Sequence, residues 1–496
     1  MPLPDISRFS TLDAGEWRAL GLRMAAIGLC RECVDPVAEI GAGLPPLLRA
    51  PLRRWHLARL PGPPASAMRL LLFDDPVSAP EAVELLGEPL LGRLLQAGLL
   101  APRDDGRVSS TLALGIAGSL YIFSDDLARG GEAVMGAGET TAHLCRAACP
   151  GRRVERALDL GCGAGTVALL LARSAALVVA TDINPRALSL ARINAAINGI
   201  ENIEFRQGDC FQPLAGESFD LIASQPPFVP HPPCARPATY LYGGRRGDEL
   251  PLRILQAIPA HLTPRGRAVL MVEWPQIDGE STAQRISAAL ASATDARCLH
   301  LRLPPTDPDF HCGMYAAAEA PALGEAFDRS AWAWRDHFAA EGIRALRTVC
   351  TVIERNPCAP PWSAEIDVPA ESASEIHASA IDRLIACRDL VSLGRDALLD
   401  ATLRVPAAAV FSREYKPQGD KPRYFVRLPE GLFSAGVELG EDSLLLVSLI
   451  HREPTVRAAV EKFAAQRRMP IDDAAAQLLP AVEQALLAGI IQSNRL

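Results

Sequence analysis

The chain has 496 residues, of which 49% are apolar, and this length favours two or three domains with well-filled cores over a single domain. Its formal net charge of −8 makes nucleic acid a poor candidate partner, because nucleic-acid grooves carry clustered Lys and Arg. No apolar run approaches the ~20 residues that cross a bilayer, and residues 1–5 lack the basic region and apolar core that would predict a secretory signal. We therefore expect a cytoplasmic protein without a membrane partner. The 12 cysteines lack metal-site spacing, which predicts no bound metal.

Residues 1–130 form the first predicted domain. Helices broken by proline-rich turns are expected up to residue 73. Two short amphipathic helices at 80–87 and 90–98, followed by a hairpin, then give the order of a winged-helix module. Because Arg93 is the one cation in the segment that would read DNA, we favour packing or substrate gripping as its role.

Residues 131–358 form the second predicted domain, in which short β-rich apolar runs alternate with helices. This texture predicts a parallel sheet built of βαβ units, and so a Rossmann-like α/β fold with seven strands. The strands are expected at 156–160, 177–181, 203–207, 219–224, 268–274, 298–303 and 347–354. A helical insertion is expected at 330–342.

Residues 359–496 form the third predicted domain. A strand at 424–428 is followed by helices at 443–450, 455–466 and 474–488, an order that resembles a second winged-helix-like module. Two roles remain open for it, which are gripping a peptide and capping the core of the enzyme.

A glycine-rich turn follows the first strand of the middle domain. Gly161, Gly163 and Gly165 allow the backbone to bend sharply and to approach a ligand without a Cβ in the way. A dinucleotide-binding loop has the pattern G-x-G-x-x-G, and its third glycine would fall on Thr166. The spacing therefore disfavours a nicotinamide or flavin cofactor.

Acidic residues end the next strands of the sheet. Asp159 is placed to bind the ammonium of a methionine moiety, and Asp182 to accept both hydroxyls of a ribose. Asp209 follows the third strand, where it either meets the amine of adenine or is a surface turn acid. These features predict S-adenosylmethionine as the cofactor. The predicted cofactor-binding residues are Asp159, Gly161, Gly163, Gly165, Thr166, Asp182, Ile183, Asp209, Cys210 and Gln225.

A proline loop, Gln225-Pro226-Pro227-Phe228, follows the fourth strand. The two prolines fix an extended backbone, so that the side-chain oxygen of Gln225 and a backbone carbonyl point toward one position. An acceptor nitrogen held there would aim its lone pair at the methyl group, beside the flat apolar wall of Phe228. We predict these four residues as the catalytic set, against the alternative of a simple proline turn.

Residues 131–275 resemble the class I methyltransferases of the small-domain type, in a longer bacterial multidomain form. That group includes N5-glutamine methyltransferases of release factors and RNA base N-methyltransferases, and its hallmark after strand four is Asn-Pro-Pro-Tyr or Asn-Pro-Pro-Phe. Two further segments match the family less closely. They are Gly138-Glu139-Thr140 and the Gly-Gly-x-x-Gly-Asp pattern that begins after Tyr242. The resemblance implies that Glu139, Thr140, Tyr242 and Phe228 line the substrate side of the cleft. Gln225 departs from the family Asn by one methylene, which puts the family's substrates in doubt.

The sequence thus predicts an S-adenosylmethionine-dependent methyltransferase that N-methylates a peptide, a protein or a specialised metabolite. Three alternatives stay open: an rRNA or tRNA base N-methyltransferase, a non-catalytic cofactor-bound scaffold, and a nucleic-acid-binding regulator. The acceptor and the oligomeric state are not determined at this level.

Overall fold

The structure is a computed structural model that describes residues 2–41, 46–60, 62–233, 238–320, 322–414, 422–428 and 437–493. Its first part is mainly helical, as predicted, and ends in short strands. The elements are α1 (Ala14–Ala26), α2 (Arg31–Ala38), α3 (Pro46–Leu57), α4 (Pro63–Ala67), β1 (Val77–Ser78), α5 (Ala79–Leu86), α6 (Glu88–Ala97), β2 (Leu100–Pro102), β3 (Arg107–Ser110), β4 (Ala113–Ala117) and β5 (Leu120–Ser124).

Local capping explains where the N-terminal helices begin. Asp13 with Glu16 and Ser78 with Glu81 form capping boxes at the starts of α1 and α5. After α6, strands β1, β3 and β2 form a small antiparallel sheet in the order β1-β3-β2. The two helices and the hairpin expected from the sequence are present, and the winged-helix description of them stays a prediction.

The middle of the chain alternates strands and helices. Its elements are α7 (Glu139–Ala148), β6 (Val154–Leu160), α8 (Thr166–Leu171), β7 (Ala175–Asp182), α9 (Pro185–Asn198), β8 (Ile203–Gln207), β9 (Phe219–Ser224), β10 (Val229–Pro230), β11 (Tyr242–Gly244), α10 (Glu249–Ala257), β12 (Leu262–Ile277), α11 (Thr282–Ala289), β13 (Ala296–Arg302), α12 (Pro308–Glu319), α13 (Glu325–Ala340), β14 (Ile343–Arg355) and β15 (Trp362–Asp367).

The large sheet has the order β15-β13-β14-β12-β9-β6-β7-β8. All neighbouring strands are parallel except at β14, which runs antiparallel to both β12 and β13. The α/β fold class and the seven expected strands are confirmed, and β15 adds an eighth beyond residue 358. The sequence Trp-Ser-Ala-Glu-Ile-Asp hides this strand because an edge strand is largely exposed and needs little apolar character.

The strand order places a crevice between β6 and β9. Starting from β8, the sheet reads third, second, first, fourth and fifth strand, which is the order of doubly wound Rossmann-like sheets. The loops after β6 and β9 leave the sheet in opposite directions, and ligands bind at such a switch point, outside the carboxyl ends of the strands. The predicted glycine turn and proline loop follow these two strands.

Helix α9 connects the N-terminal part to the sheet. At Gly21 of α1 an added Cβ would lie 2.1 Å from the carbonyl oxygen of Ile197, so that the two helices pack backbone to backbone. Asn194 is fully buried, and its side chain bonds both backbone groups of Phe123 and the carbonyl of Ala164 in the glycine turn. The last N-terminal strand and the glycine turn are thus held by one side chain.

The described residues of the C-terminal part form helices and two small antiparallel sheets. Its elements are α14 (Ala378–Ser392), α15 (Arg395–Leu399), β16 (Leu403–Arg404), β17 (Val410–Glu414), β18 (Arg423–Arg427), β19 (Val437–Leu439), α16 (Glu441–Arg452), α17 (Val456–Arg467), α18 (Ile471–Leu487) and β20 (Gln492–Ser493). Ile381 and Leu384 of α14 pack into the core of the large sheet. The boundaries at residues 130 and 358 stay predictions. Across the described ranges, every helix is too short or too polar to span a bilayer.

Single helical turns complete the structure. Within the described residues, five are 3-10 segments and one is a π segment, at Ile6–Thr11, Met68–Leu72 (π), Leu127–Arg129, Gln212–Leu214, Ile258–His261 and Ala370–Glu375.

Candidate functional site

A cavity of about 750 Å³ lies at the carboxyl ends of β6, β7, β9 and β12. Cofactor and substrate pockets commonly span roughly 300–1,000 Å³. Most of the residues predicted from the sequence line it, namely Thr140, Asp159, Gly161, Gly163, Thr166, Asp182, Ile183, Asp209, Cys210, Gln225, Pro226, Pro227 and Phe228. Gly165, Glu139 and Tyr242 stand outside this lining.

The glycine turn follows β6 in left-handed backbone conformations. Gly161 and Gly163 have φ of +78° and +52°, a region that L residues with a Cβ rarely adopt. A Cβ added at Gly161 would meet no atom within 4 Å and would project into the cavity instead. The absence of a side chain at Gly161 therefore leaves room for a ligand against the backbone.

Gly165 has a different function from the other two glycines. Its φ is +84°, and an added Cβ would lie 3.0 Å from the Cβ of Ala191 on α9. This glycine allows helix α9 to pack closely against the turn, which is the packing role that the third glycine of a dinucleotide loop performs. Thr166 then begins α8 and is buried.

The carboxylate of Asp182 ends β7 and is fixed by backbone donors. Its Oδ2 accepts a hydrogen bond of 2.8 Å from the N–H of Gly163, and its Oδ1 accepts one of 2.8 Å from Asn184. Burial raises the pKa of this carboxyl above its ordinary value. Each oxygen keeps a lone pair, so the group can still accept two hydroxyl donors.

Asp159 is the most deeply buried acid of the cavity, with 2% of its surface exposed. Its Oδ2 accepts a 2.8 Å hydrogen bond from the N–H of Ala168 in α8. Burial raises the pKa of Asp159 to about 7, against a single opposing hydrogen bond. A ligand cation would offset the cost of ionising this group.

The next loops supply an apolar surface and an ion pair. Ile183 is 53% exposed although it is apolar, and it faces the cavity directly after Asp182. Asp209 pairs with Arg253 at 2.9 Å, so its carboxylate already has a cationic partner. Cys210 has a positive φ of +49°, and burial raises the pKa of its thiol to about 11, which keeps it protonated.

The proline loop is tied to the start of α7. The Oε1 atom of Gln225 accepts a 2.9 Å hydrogen bond from the hydroxyl of Thr141. The sequence pointed to the neighbouring Thr140, which lines the cavity, and missed Thr141. Glu139 is the first residue of α7 and is exposed to solvent.

The Gly-Gly-x-x-Gly-Asp pattern supports the proline loop from behind. A Cβ at Gly243 would lie 2.1 Å from the carbonyl oxygen of Gly247 and 2.6 Å from that of Pro227. Glycine is therefore required for this contact with the loop. Tyr242 stacks on His231 with ring centroids 4.0 Å apart, outside the cavity lining, so the structure gives it a packing contact there.

A segment from the N-terminal side covers the glycine turn. Residues 133–136 line the cavity, and the N–H of Val134 donates to the buried Asp125 at 2.9 Å. The guanidinium of Arg186 binds both oxygens of Asp125, at 2.7 and 2.6 Å. This bidentate pair fixes the covering segment to the start of α9.

The comparisons with known proteins agree with this geometry. Residues 153–293 match a family model described as a methyltransferase domain. The chain is 40% identical over 151 residues to a release factor glutamine methyltransferase from Xylella fastidiosa, covering 28% of this chain and 54% of that protein. It is 37% identical over 131 residues to a ribosomal protein uL3 glutamine methyltransferase from Bordetella pertussis, covering 24% of this chain and 44% of that protein.

A third relative is a release factor glutamine methyltransferase from Deinococcus radiodurans, 37% identical over 134 residues, with 25% of this chain and 48% of that protein covered. The chain thus spans about half the length of these relatives. Among solved structures, a ribosomal protein L11 methylase from Lactobacillus delbrueckii subsp. bulgaricus matches at a TM-score of 0.26 and 17% identity, over 44% of this chain and 77% of that one.

Strand order and the positions of the glycine turn and the proline loop define a Rossmann-like domain with its cavity at the switch point of the sheet. More particularly, residues 153–293 match the methyltransferase-domain model, and this part of the chain is similar to proteins named as glutamine methyltransferases. This confirms the resemblance seen in the sequence, and the chain is longer than the part that the relatives share with it.

Proposed function

We propose that this protein transfers a methyl group from S-adenosylmethionine to a nitrogen of a protein or peptide, and that the nitrogen belongs to a side-chain carboxamide. One observation supports the proposal above all others. The glycine turn, the Asp182 carboxylate and the Gln225-Pro-Pro-Phe loop line a single cavity at the switch point of the sheet. A donor site and an acceptor site are thereby adjacent.

The residues on the donor side fit S-adenosylmethionine. Asp159 offers a buried carboxylate to an ammonium, Asp182 offers two oxygens to a diol, and the exposed Ile183 offers an apolar face to a purine. The space left at Gly161 admits a ligand close to the backbone. When bound, this cofactor supplies an electrophilic methyl group on a positively charged sulfur.

The acceptor side uses position rather than a strong base. Gln225 is held by Thr141, and the two prolines restrict the backbone that follows. An oxygen fixed in this way can accept an N–H of the acceptor and orient the nitrogen lone pair, which lowers the entropic part of the barrier. The names of the relatives state glutamine methylation in release factors and in ribosomal protein uL3. We take from them only the class of acceptor.

The overall charge supports a protein or peptide over RNA. With a net charge of −8, the chain offers little attraction for a phosphate backbone. A cytoplasmic location, the winged-helix modules as substrate-gripping units and any self-association remain predictions.

The proposal is tested by incubating the full chain with labelled S-adenosylmethionine and native cell extract, followed by peptide mass spectrometry. We expect label on a glutamine or asparagine side chain. Gln225→Ala should reduce transfer at least tenfold and leave calorimetric affinity for S-adenosylhomocysteine within twofold, whereas the exposed control Gln284→Ala should match the wild type. Label found only in RNA, or no label at all, contradicts the proposal.

A further inference from the structure

The cavity continues beyond the proline loop into a region that the sequence did not identify. Its far wall is made by residues 306–315 and by two strand residues, Glu273 of β12 and Thr348 of β14. Neighbouring antiparallel strands are normally joined by a tight hairpin, yet β13 and β14 are connected by residues 303–342, which contain α12 and α13. Long connections of this kind are commonly functional.

Strand alternation places the far wall on the same side of the sheet as Gln225. Glu273 and Thr348 are opposite each other in the pairing of β12 with β14. Met271, two residues before Glu273, and Cys350, two residues after Thr348, belong to the same core face. Gln225 lies just beyond the end of β9, and its bond with Thr141 places it beside α7, whose Leu144 belongs to this core. Successive side chains of a strand alternate, so these polar groups project toward one side.

Glu273 and His311 meet at this wall without forming a hydrogen bond. The Oε1 atom of Glu273 is 3.4 Å from the Nε2 atom of His311, with an alignment that does not allow a bond. His311 is 4% exposed, and both of its ring nitrogens lack a hydrogen-bond partner in the described structure. A buried polar group left unpaired costs about 1–3 kcal/mol, so such groups normally have a partner.

Helix α12 holds His311 in place. Tyr315, one turn further on, stacks on Trp334 of α13 with ring centroids 4.5 Å apart. Phe310 and Met314 of the same helix line the cavity although they are 63% and 45% exposed. The wall therefore combines a fixed polar pair with apolar side chains at the entrance.

The charges of the cavity lining leave Glu273 without a cation. Its charged residues are Asp159, Asp182, Asp209, Arg253 and Glu273, and Arg253 is already paired with Asp209. Burial raises the pKa of Glu273 to about 7 and lowers that of His311 to about 4, so both groups resist charging in the absence of a ligand. A ligand group that carries N–H donors would therefore complement the carboxyl oxygens of Glu273 at this wall.

We propose that Glu273 and His311 recognise the methyl acceptor, with the Glu273 carboxyl accepting an N–H from the acceptor's nitrogen-bearing end. The inference rests on the proposed function and specifies its acceptor site. Two sources share this chemistry, a carboxamide and an amine. The connection between β13 and β14 is then the element that determines the substrate.

The test compares methyl transfer from labelled S-adenosylmethionine into native extract by the wild type, by Glu273→Met and by Glu325→Met. Methionine has nearly the length of glutamate but no oxygen that accepts an N–H, whereas glutamine would keep such an oxygen. Glu325 serves as a matched control because its side chain is 94% exposed on α13. We expect Glu273→Met to lower transfer at least tenfold, with S-adenosylhomocysteine affinity within twofold of the wild type. His311→Phe should raise the KM for the acceptor at least fivefold.

Equal transfer by Glu273→Met and wild type would overturn the inference and leave the proposed function intact, whereas a wild type that transfers nothing overturns both. If Glu273→Met has lost affinity for S-adenosylhomocysteine, His311→Phe decides: a raised KM for the acceptor with donor affinity kept supports acceptor recognition, and an unchanged KM overturns it.

Small probes identify the source of the N–H group. The N-acetyl methylamides of glutamine, ornithine and norleucine are titrated into the S-adenosylhomocysteine complex. Tighter binding of the glutamine probe than of norleucine identifies a carboxamide acceptor, and tighter binding of the ornithine probe an amine. Norleucine binding as tightly as both, or no binding of any probe, overturns recognition through an N–H donor.

Discussion

Asp159 is expected to reduce the stability of the protein for the benefit of its function. Its pKa is raised by burial from 3.8 to about 7, so that ionising it in the folded state costs about 4 kcal/mol at pH 8, at 1.36 kcal/mol per pKa unit. Asp159→Asn removes this cost and keeps an oxygen for the N–H of Ala168. The new amide N–H₂ lacks a hydrogen-bond partner, and burying it unpaired destabilises the folded variant by about 1–3 kcal/mol.

We therefore expect Asp159→Asn to unfold with a free energy about 1–3 kcal/mol higher than the wild type at pH 8. A carboxyl whose pKa is higher in the folded state binds its proton more tightly there. Its protonation therefore stabilises the folded protein at pH values below the pKa of the unfolded state. That stabilisation is lost as the pH rises through the pKa of the folded state. The advantage of the variant should consequently shrink from pH 7 toward pH 4. Urea denaturation of the ligand-free proteins at several pH values measures it.

The same substitution should weaken binding of S-adenosylhomocysteine about 10- to 100-fold, because a hydrogen bond to a charged group is worth about 1.5–3 kcal/mol. Isothermal titration calorimetry measures this loss, and the exposed Asp473→Asn is the control. Two results would refute this reasoning. One is an affinity of the variant for S-adenosylhomocysteine equal to that of the wild type. The other is an advantage in unfolding free energy of the variant over the wild type that is smaller at pH 8 than at pH 5.

Three further substitutions examine the supports of the site. Asp182→Ala should weaken S-adenosylhomocysteine binding by about 1–3 kcal/mol in calorimetry, and unchanged affinity would remove this carboxylate from the donor site. Arg186→Ala leaves the fully buried Asp125 without its cation and should lower the unfolding free energy by about 3–5 kcal/mol in urea, against a loss below about 1 kcal/mol if the pair is unimportant. Gly243→Ala inserts a Cβ 2.6 Å from the carbonyl oxygen of Pro227, so methyl transfer should fall while donor affinity stays within twofold; normal transfer would show that the loop tolerates the displacement.

Local sequence patterns predicted the fold class and the residues that line the proposed donor side of the cavity. The strands at 203–207 and 219–224 have the predicted bounds, because apolar periodicity is a local signal. A glycine turn after one strand and an acid after the next must lie at the same edge of a parallel sheet, so Gly161 and Asp182 could be paired without coordinates.

Only the tertiary structure brings together the residues of the proposed acceptor side. Glu273 and His311 are far apart in the chain, and their meeting depends on how α12 folds back over the ends of β12 and β14. An acid within the apolar run of β12 was a visible signal, but its partner was not. Thr141 likewise contacts Gln225 only because α7 packs beside the sheet. Periodicity reports which face of an element is apolar, whereas contacts between distant segments depend on packing that no local pattern specifies.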